Sequence, residues 1–303
     1  MPPAGSGGRS RPSKLRPVKD LVIQGPALSS EALDTFKVVC APVRITLRGK
    51  SARCVGTADD LETRKAIKGL GEYWKLDWAF VEPSWRLADF RLLALDMDST
   101  LISIESLDEV AAFAGKGEEV AAITEAAMRG EITDYRESLR RRVAMLAGVD
   151  ATLLERVYEE KLALNDGAER LVSTCRAAGL RTLLVTGGFT YFTERLQRRL
   201  GFDATCSNEL EVVDGRLTGK VTGPGGGEII DAEGKARAVR DQCAQLGCAT
   251  DKALVFGDGA NDLKMMALAG ISVAYRAKPV VRDKATFALS HAPLDGALNW
   301  FEE

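Results

Sequence analysis

Three short apolar runs constrain this chain most: RLLAL at 91–95, RTLLV at 181–185 and ALVF at 253–256. A strand with one wet face alternates apolar and polar residues. Runs that barely alternate need cover on both faces, as in a parallel sheet flanked by helices. Helical stretches separate them, among them ERLVSTCRAAG, YFTERLQRRLG and KARAVRDQCAQLG. Alternating strands and helices predict a doubly wound α/β domain with right-handed crossovers. Residues 106–165 break the rhythm with LDEVAAFAG, EEVAAITEAAMRG and DYRESLRRRVAMLAG, helical patterns with no convincing strand. They predict a helical cap inserted just after the first strand of a domain covering 90–303. Further on, Asp214-Gly215 between the alternating residues of ELEVVDGRLTGKV predicts a tight hairpin.

Residues 20–85 follow another pattern. DLVIQG reads as a strand, SSEALDTFKVV as a helix capped by Ser29 or Ser30, and PVRITLRG and SARCVGTA as two strands joined by a turn. DDLETRKAIKGLGEYW adds a second helix, and KLDWAFVEP a last strand ended by Pro83. The order β-α-β-β-α-β is the ferredoxin-like α+β arrangement, resembling in topology the small amino-acid-sensing modules of metabolic enzymes. Residues 1–19, rich in Pro, Gly, Ser and basic residues, are expected to form a disordered tail.

Composition narrows the function classes. The 303 residues suit about two domains, and a formal net charge of −2 gives no reason to expect nucleic acid or an anionic membrane as partner. No apolar run approaches a membrane span, and none follows the basic N-terminus as a secretory signal would, so a cytoplasmic location is expected. The six cysteines form no Cys-x-x-Cys pair, which argues against zinc. With one histidine, His291, near the C-terminus, a Ser-His-Asp or Cys-His enzyme would depend on that residue alone. Carboxylates, lysine and metal remain as the chemical means.

Ligands of open α/β sheets bind beyond the carboxyl ends of the strands, and four polar motifs fall near such ends. Asp96-Met97-Asp98 follows RLLAL. Two carboxylates at alternate positions can share a metal and divide the roles of nucleophile and acid/base; the same pattern also serves as a simple cap. Thr186-Gly187-Gly188 follows RTLLV and lets backbone N–H groups approach a phosphoryl oxygen. Lys235 sits at the start of a helix, against the macrodipole, which calls for an anionic partner. Gly257-Asp258-Gly259-Ala260-Asn261-Asp262 follows ALVF and offers two more carboxylates to a divalent cation.

In this order the motifs resemble the haloacid dehalogenase superfamily of phosphohydrolases over residues 90–303. More narrowly, DMDSTLISIESLDEVAAFAG, AMRGEITDYRESLRRRV, TGGFTYF and GDGANDLKMM are similar to its phosphoserine phosphatases. The resemblance implies that Asp96 attacks phosphorus and Asp98 acts as acid and then base. Mg2+ would be held by the Asp96 side chain, the Asp98 backbone carbonyl and Asp258, with Asp262 in support. It implies that Lys235 neutralises the Asp96/phosphate pair, and that Thr186, the Gly187 N–H and Asn261 contact the phosphate. Glu105, nine residues after Asp96, would bind the substrate ammonium, and Arg142 its carboxylate, with Met128 and Tyr135 enclosing the serine part. The implied substrate is O-phosphoserine and the implied role the last step of serine biosynthesis. A homodimer is left open. Threonine replaces the family's usual serine at 186. The alternatives are phosphotransfer, another small phosphate monoester, or an inactive amino-acid sensor.

Overall fold

The computed structural model describes residues 18–302. Of the expected tail, residues 1–17 lie outside the described residues, while Val18 and Lys19 already open the first strand. The N-terminal module runs β1 (Val18–Gln24), α1 (Ser30–Cys40), β2 (Arg44–Arg48), β3 (Ser51–Ala58), α2 (Leu61–Trp74) and β4 (Asp77–Val81). Its sheet has the order β2-β3-β1-β4, antiparallel throughout. Ser29 caps α1 by accepting the Ala32 N–H at 3.1 Å. Asp60 caps α2 through Thr63 N–H at 2.9 Å. Leu21, Ile23, Phe36 and Ile67 are fully buried in the module's own core. Each such side chain contributes about 1.5–3 kcal/mol of burial free energy.

The second part begins with β5 (Leu92–Leu95), followed by four helices with no strand among them: α3 (Ser106–Phe113), α4 (Gly117–Met128), α5 (Tyr135–Ala144) and α6 (Thr152–Glu160). Then come α7 (Ala168–Ala177), β6 (Arg181–Phe189), α8 (Thr190–Leu200), β7 (Ala204–Val213), β8 (Arg216–Thr222), α9 (Ala232–Gln245), β9 (Ala253–Gly257), β10 (Ile271–Tyr275) and β11 (Phe287–Leu289). The seven strands are ordered β11-β10-β9-β5-β6-β7-β8. All pairs are parallel except the β7–β8 hairpin, which turns at Asp214-Gly215 with φ of 50° and 74°. Every residue of β5, β9 and β10 is buried, as non-alternating runs require. This is the α/β fold expected from the sequence, and β10 and β11 complete it beyond the three runs that announced it.

The module docks on the C-terminal segment. Asp77, at the start of β4, accepts backbone N–H bonds from Ser290, His291 and Ala292 at 2.8, 2.9 and 2.7 Å. Arg53 donates to the Trp300 and Phe301 carbonyls. The glycine-rich stretch before Lys235 forms a tight turn between β8 and α9. Gly225 and Gly226 take φ of 61° and 78°, where a side chain would be strained.

Candidate active site

β5 lies at the point where the strand order reverses, with β6 on one side and β9 on the other. Ligands of doubly wound sheets bind at such a switch point. The register pairs Leu95 with Leu184 and with Phe256. The residues following β5, the Thr186–Gly188 end of β6 and the loop after β9 therefore converge on one edge.

Asp96 follows β5 and leads into a wide turn, closed by Leu101 N–H to Asp96 O at 3.3 Å and Ile102 N–H to Met97 O at 3.0 Å. Turns of this i+5 type concentrate at functional sites. Within it Ser99 adopts φ 56°, uncommon for a residue with a side chain. The Ser99 hydroxyl donates to Glu105 Oε1 at 2.7 Å, and Asp98 Oδ1 accepts the Ser106 N–H at 2.9 Å. Both bonds fasten the turn to the first cap helix, α3.

Lys235, from the first turn of α9, is 1% exposed. Its Nζ lies 2.6 Å from Asp96 Oδ1 and 2.7 Å from Asp262 Oδ1. This pairing answers the anomaly of a cation at a helix start. Asp262 Oδ2 accepts the Asp258 and Gly259 N–H groups at 3.1 and 3.0 Å, so both its oxygens are engaged. Asp258 Oδ1 accepts the Thr100 hydroxyl at 3.1 Å. Asp96 Oδ1 also takes the Met97 N–H at 2.8 Å.

Burial first, and then the Asp262 carboxylate, push Asp96 well above the usual carboxylate range, with Lys235 opposing. Burial and the Glu105 carboxylate raise Asp98 to about 7. Burial and Asp262 raise Asp258 to about 6. Burial alone would lower Lys235, but Asp262 and Asp96 overcome it and the ammonium is held more tightly than usual.

The donor set fits a hard divalent cation. Carboxylate oxygens of Asp96, Asp258 and Asp262 lie within 4.8 Å of one another, and magnesium favours such oxygens, one or two at a time. Asp96 Oδ2 and Asp258 Oδ2 take part in none of the bonds above. Asp262, with both oxygens engaged, is better placed to support than to ligate.

The other expected residues divide into those at the cluster and those away from it. Thr186 is buried, and its Oγ1 accepts the Gly188 N–H at 2.9 Å. Gly187 lies under Tyr135 of α5, whose hydroxyl would collide with any side chain there. The Tyr135 phenol is raised by burial and sits in the fields of Lys235, Arg142, Asp96 and Asp98, which therefore converge around it. Arg142 has its Nε buried without a hydrogen-bond partner. Asn261 is half-buried, its Oδ1 against Gly259. Glu105 is exposed and engaged by Ser99. Met128 ends α4 and is 67% exposed, turned to solvent. Sequence reasoning missed Arg136, whose Nε bonds Asp231 Oδ2 at 2.8 Å and ties α5 to the N-cap of α9. It also missed Asn208, just before the hairpin pattern, because a lone amide in a strand carries no signal of its own.

A doubly wound sheet with a buried Asp–Lys–Asp cluster at its switch point and a helical insertion over it defines a hydrolase of the α/β class. The haloacid dehalogenase-like hydrolase family matches residues 93–267, and the chain belongs to it. It is 55% identical over 216 residues to the phosphoserine phosphatase of Polaromonas sp. strain JS666, covering 71% of this chain and 92% of that one. A crystal structure of a probable phosphoserine phosphatase from Vibrio cholerae, unliganded, superposes with a TM-score of 0.79 at 36% identity, covering 93% of this chain and 85% of that one. A phospho-aspartyl intermediate analogue of phosphoserine phosphatase superposes at 0.64 with 31% identity, covering 70% and 99%. Among the described residues, no helix is long and apolar enough to cross a membrane.

Proposed function

We propose that the chain hydrolyses O-phosphoserine to serine and inorganic phosphate with magnesium, the last step of serine formation. Asp96 attacks phosphorus through one oxygen of its carboxylate. The P–O bond to serine breaks, and an aspartyl-phosphate forms. Asp98, near 7 and so partly protonated at neutral pH, gives its proton to the departing serine oxygen. It then takes a proton from water, which attacks phosphorus, releases phosphate and restores Asp96. Lys235 offsets the negative charge that gathers on Asp96. Thr186 Oγ1 accepts from Gly188, so its own proton is free for a phosphoryl oxygen, beside the Gly187 N–H and Asn261. Magnesium, held by Asp96, Asp258 and the Asp98 carbonyl with Asp262 in support, would neutralise charge on the phosphoryl oxygens.

The observation that carries the substrate is Arg142. A buried guanidinium nitrogen with no partner costs free energy unless a ligand satisfies it, and a substrate carboxylate does so with matching geometry. Glu105 would take the ammonium, and the helices of residues 106–165 would close over both as the cap, with Tyr135 against the serine carbons. The similar proteins named phosphoserine phosphatase support this reading, as does the phospho-aspartyl analogue in a similar structure.

The test is phosphate release with magnesium across phosphoserine, phosphothreonine, phosphohomoserine and sugar phosphates. Phosphoserine is expected to give the highest kcat/KM, with no turnover in EDTA. Preference for a sugar phosphate would overturn the substrate. Serine formed in excess of free phosphate would point to transfer onto another alcohol.

A further inference from the structure

The β7 residue Asn208 is fully buried, and its amide spans the end of β6 and the segment leading into α9. Its Nδ2 donates to the Gly187 carbonyl at 2.8 Å, and its Oδ1 accepts the Ile230 N–H at 2.7 Å. The Gly187 carbonyl belongs to the same peptide plane as the Gly188 N–H. That N–H donates to Thr186 Oγ1 at 2.9 Å. Fixing the carbonyl therefore fixes the donor that orients the Thr186 hydroxyl. At the other end, Ile230 precedes Asp231, the N-cap of α9, whose first turn carries Lys235. The peptide has little room to choose another orientation: a Cβ at Gly188 would lie 2.8 Å from Asp98 Oδ2 and 2.7 Å from Met97 Cε. The amide offers a donor and an acceptor on one planar group, and Leu of similar size offers neither.

We propose that Asn208 is a positioning residue that sets the Thr186 hydroxyl and the Lys235 helix at a fixed separation around the phosphoryl group. It touches neither substrate nor reacting atoms and acts through the Gly187–Gly188 peptide. The inference rests on the reading that Thr186–Gly188 grips a phosphoryl group.

Asn208→Leu keeps the volume but removes both bonds; Asn208→Ser is too short to span both segments. In each variant kcat/KM is expected to fall on the order of 10²-fold, the scale of losing one preorganised donor. The fall should be equal for phosphoserine and p-nitrophenyl phosphate, because only the shared phosphoryl group is affected. Binding of inorganic phosphate, measured by calorimetry with magnesium, should weaken in parallel, and the Gly188 amide resonance should shift. A folded variant with kcat/KM within threefold of the parent on p-nitrophenyl phosphate overturns the proposal. So does a loss of melting temperature alone, with phosphate affinity unchanged. If Asn208→Leu does not fold, Asn208→Ser decides by the same comparison. A parent chain that neither hydrolyses an ester nor binds phosphate would sink the functional reading and this inference with it; an active parent matched by its variants sinks this inference only.

Discussion

Replacing Lys235 by methionine keeps the side chain's length and removes its charge. The ammonium contacts two carboxylates, at 2.6 and 2.7 Å, and all three side chains are at most 5% exposed. Without it, Asp96 and Asp262 face each other uncompensated in a site closed to water. Breaking a buried ion pair from one side costs about 3–5 kcal/mol, which corresponds to about 10 °C in Tm for a chain of this size. The deficit depends on pH with a definite sign. Loss of the cation raises the folded-state pKa of Asp96 further above its unfolded value. A raised carboxylate contributes full stability below its unfolded pKa and loses it as pH rises through the folded one. The gap between Lys235→Met and the parent should therefore be widest near pH 8 and narrower near pH 5. Urea unfolding in EDTA at the two pH values measures it without metal. A gap below about 1 kcal/mol at pH 8, or one independent of pH, would refute the reasoning. Saturating magnesium should narrow the gap, because it supplies cationic charge to the same carboxylate cluster, while turnover stays lost.

Three further outcomes follow from the same geometry. Asp96→Asn should abolish turnover while keeping the fold, since an amide forms no acyl-phosphate; near-parent activity would exclude Asp96 as nucleophile. Asp98→Asn should slow phosphate release about 10²–10⁴-fold. In EDTA it should also gain stability over the parent as pH rises toward 7, because the parent must ionise a carboxyl that burial and Glu105 have raised. Arg142→Ala should lose most of its kcat/KM on phosphoserine and little on p-nitrophenyl phosphate, with Arg142→Lys recovering only part; an equal fall on both substrates would assign Arg142 to folding or to phosphate.

What the sequence disclosed follows from how far each signal reaches along the chain. The runs at 91–95, 181–185 and 253–256 were legible because burial on both faces forbids alternation within a single strand. The hairpin was legible because Asp214 and Gly215 must both take positive φ. β11 was not, since Phe287–Leu289 is only three residues long and is recognisable only once it pairs with β10. The chemistry divides in the same way. Asp96 and Asp98, or Asp258 and Asp262, are neighbours in sequence and announce themselves by spacing.

Lys235 was legible for a different reason, as a local conflict. A cation in the first turn of a helix is unfavourable unless an anion compensates it, so the residue pointed to partners before any were known. Arg136 shows the opposite case. Its partner Asp231 is 95 residues away, and each residue is locally content, one as a polar residue early in a helix and the other as an ordinary N-cap. Asn208 is quieter still, because a buried amide bonded to two peptides leaves neither charge nor periodicity in the sequence. Long-range contacts can be read from sequence where they resolve a local strain. Where they add to residues already satisfied, only the folded chain shows them, and the Arg136 and Asn208 bridges are of that second kind.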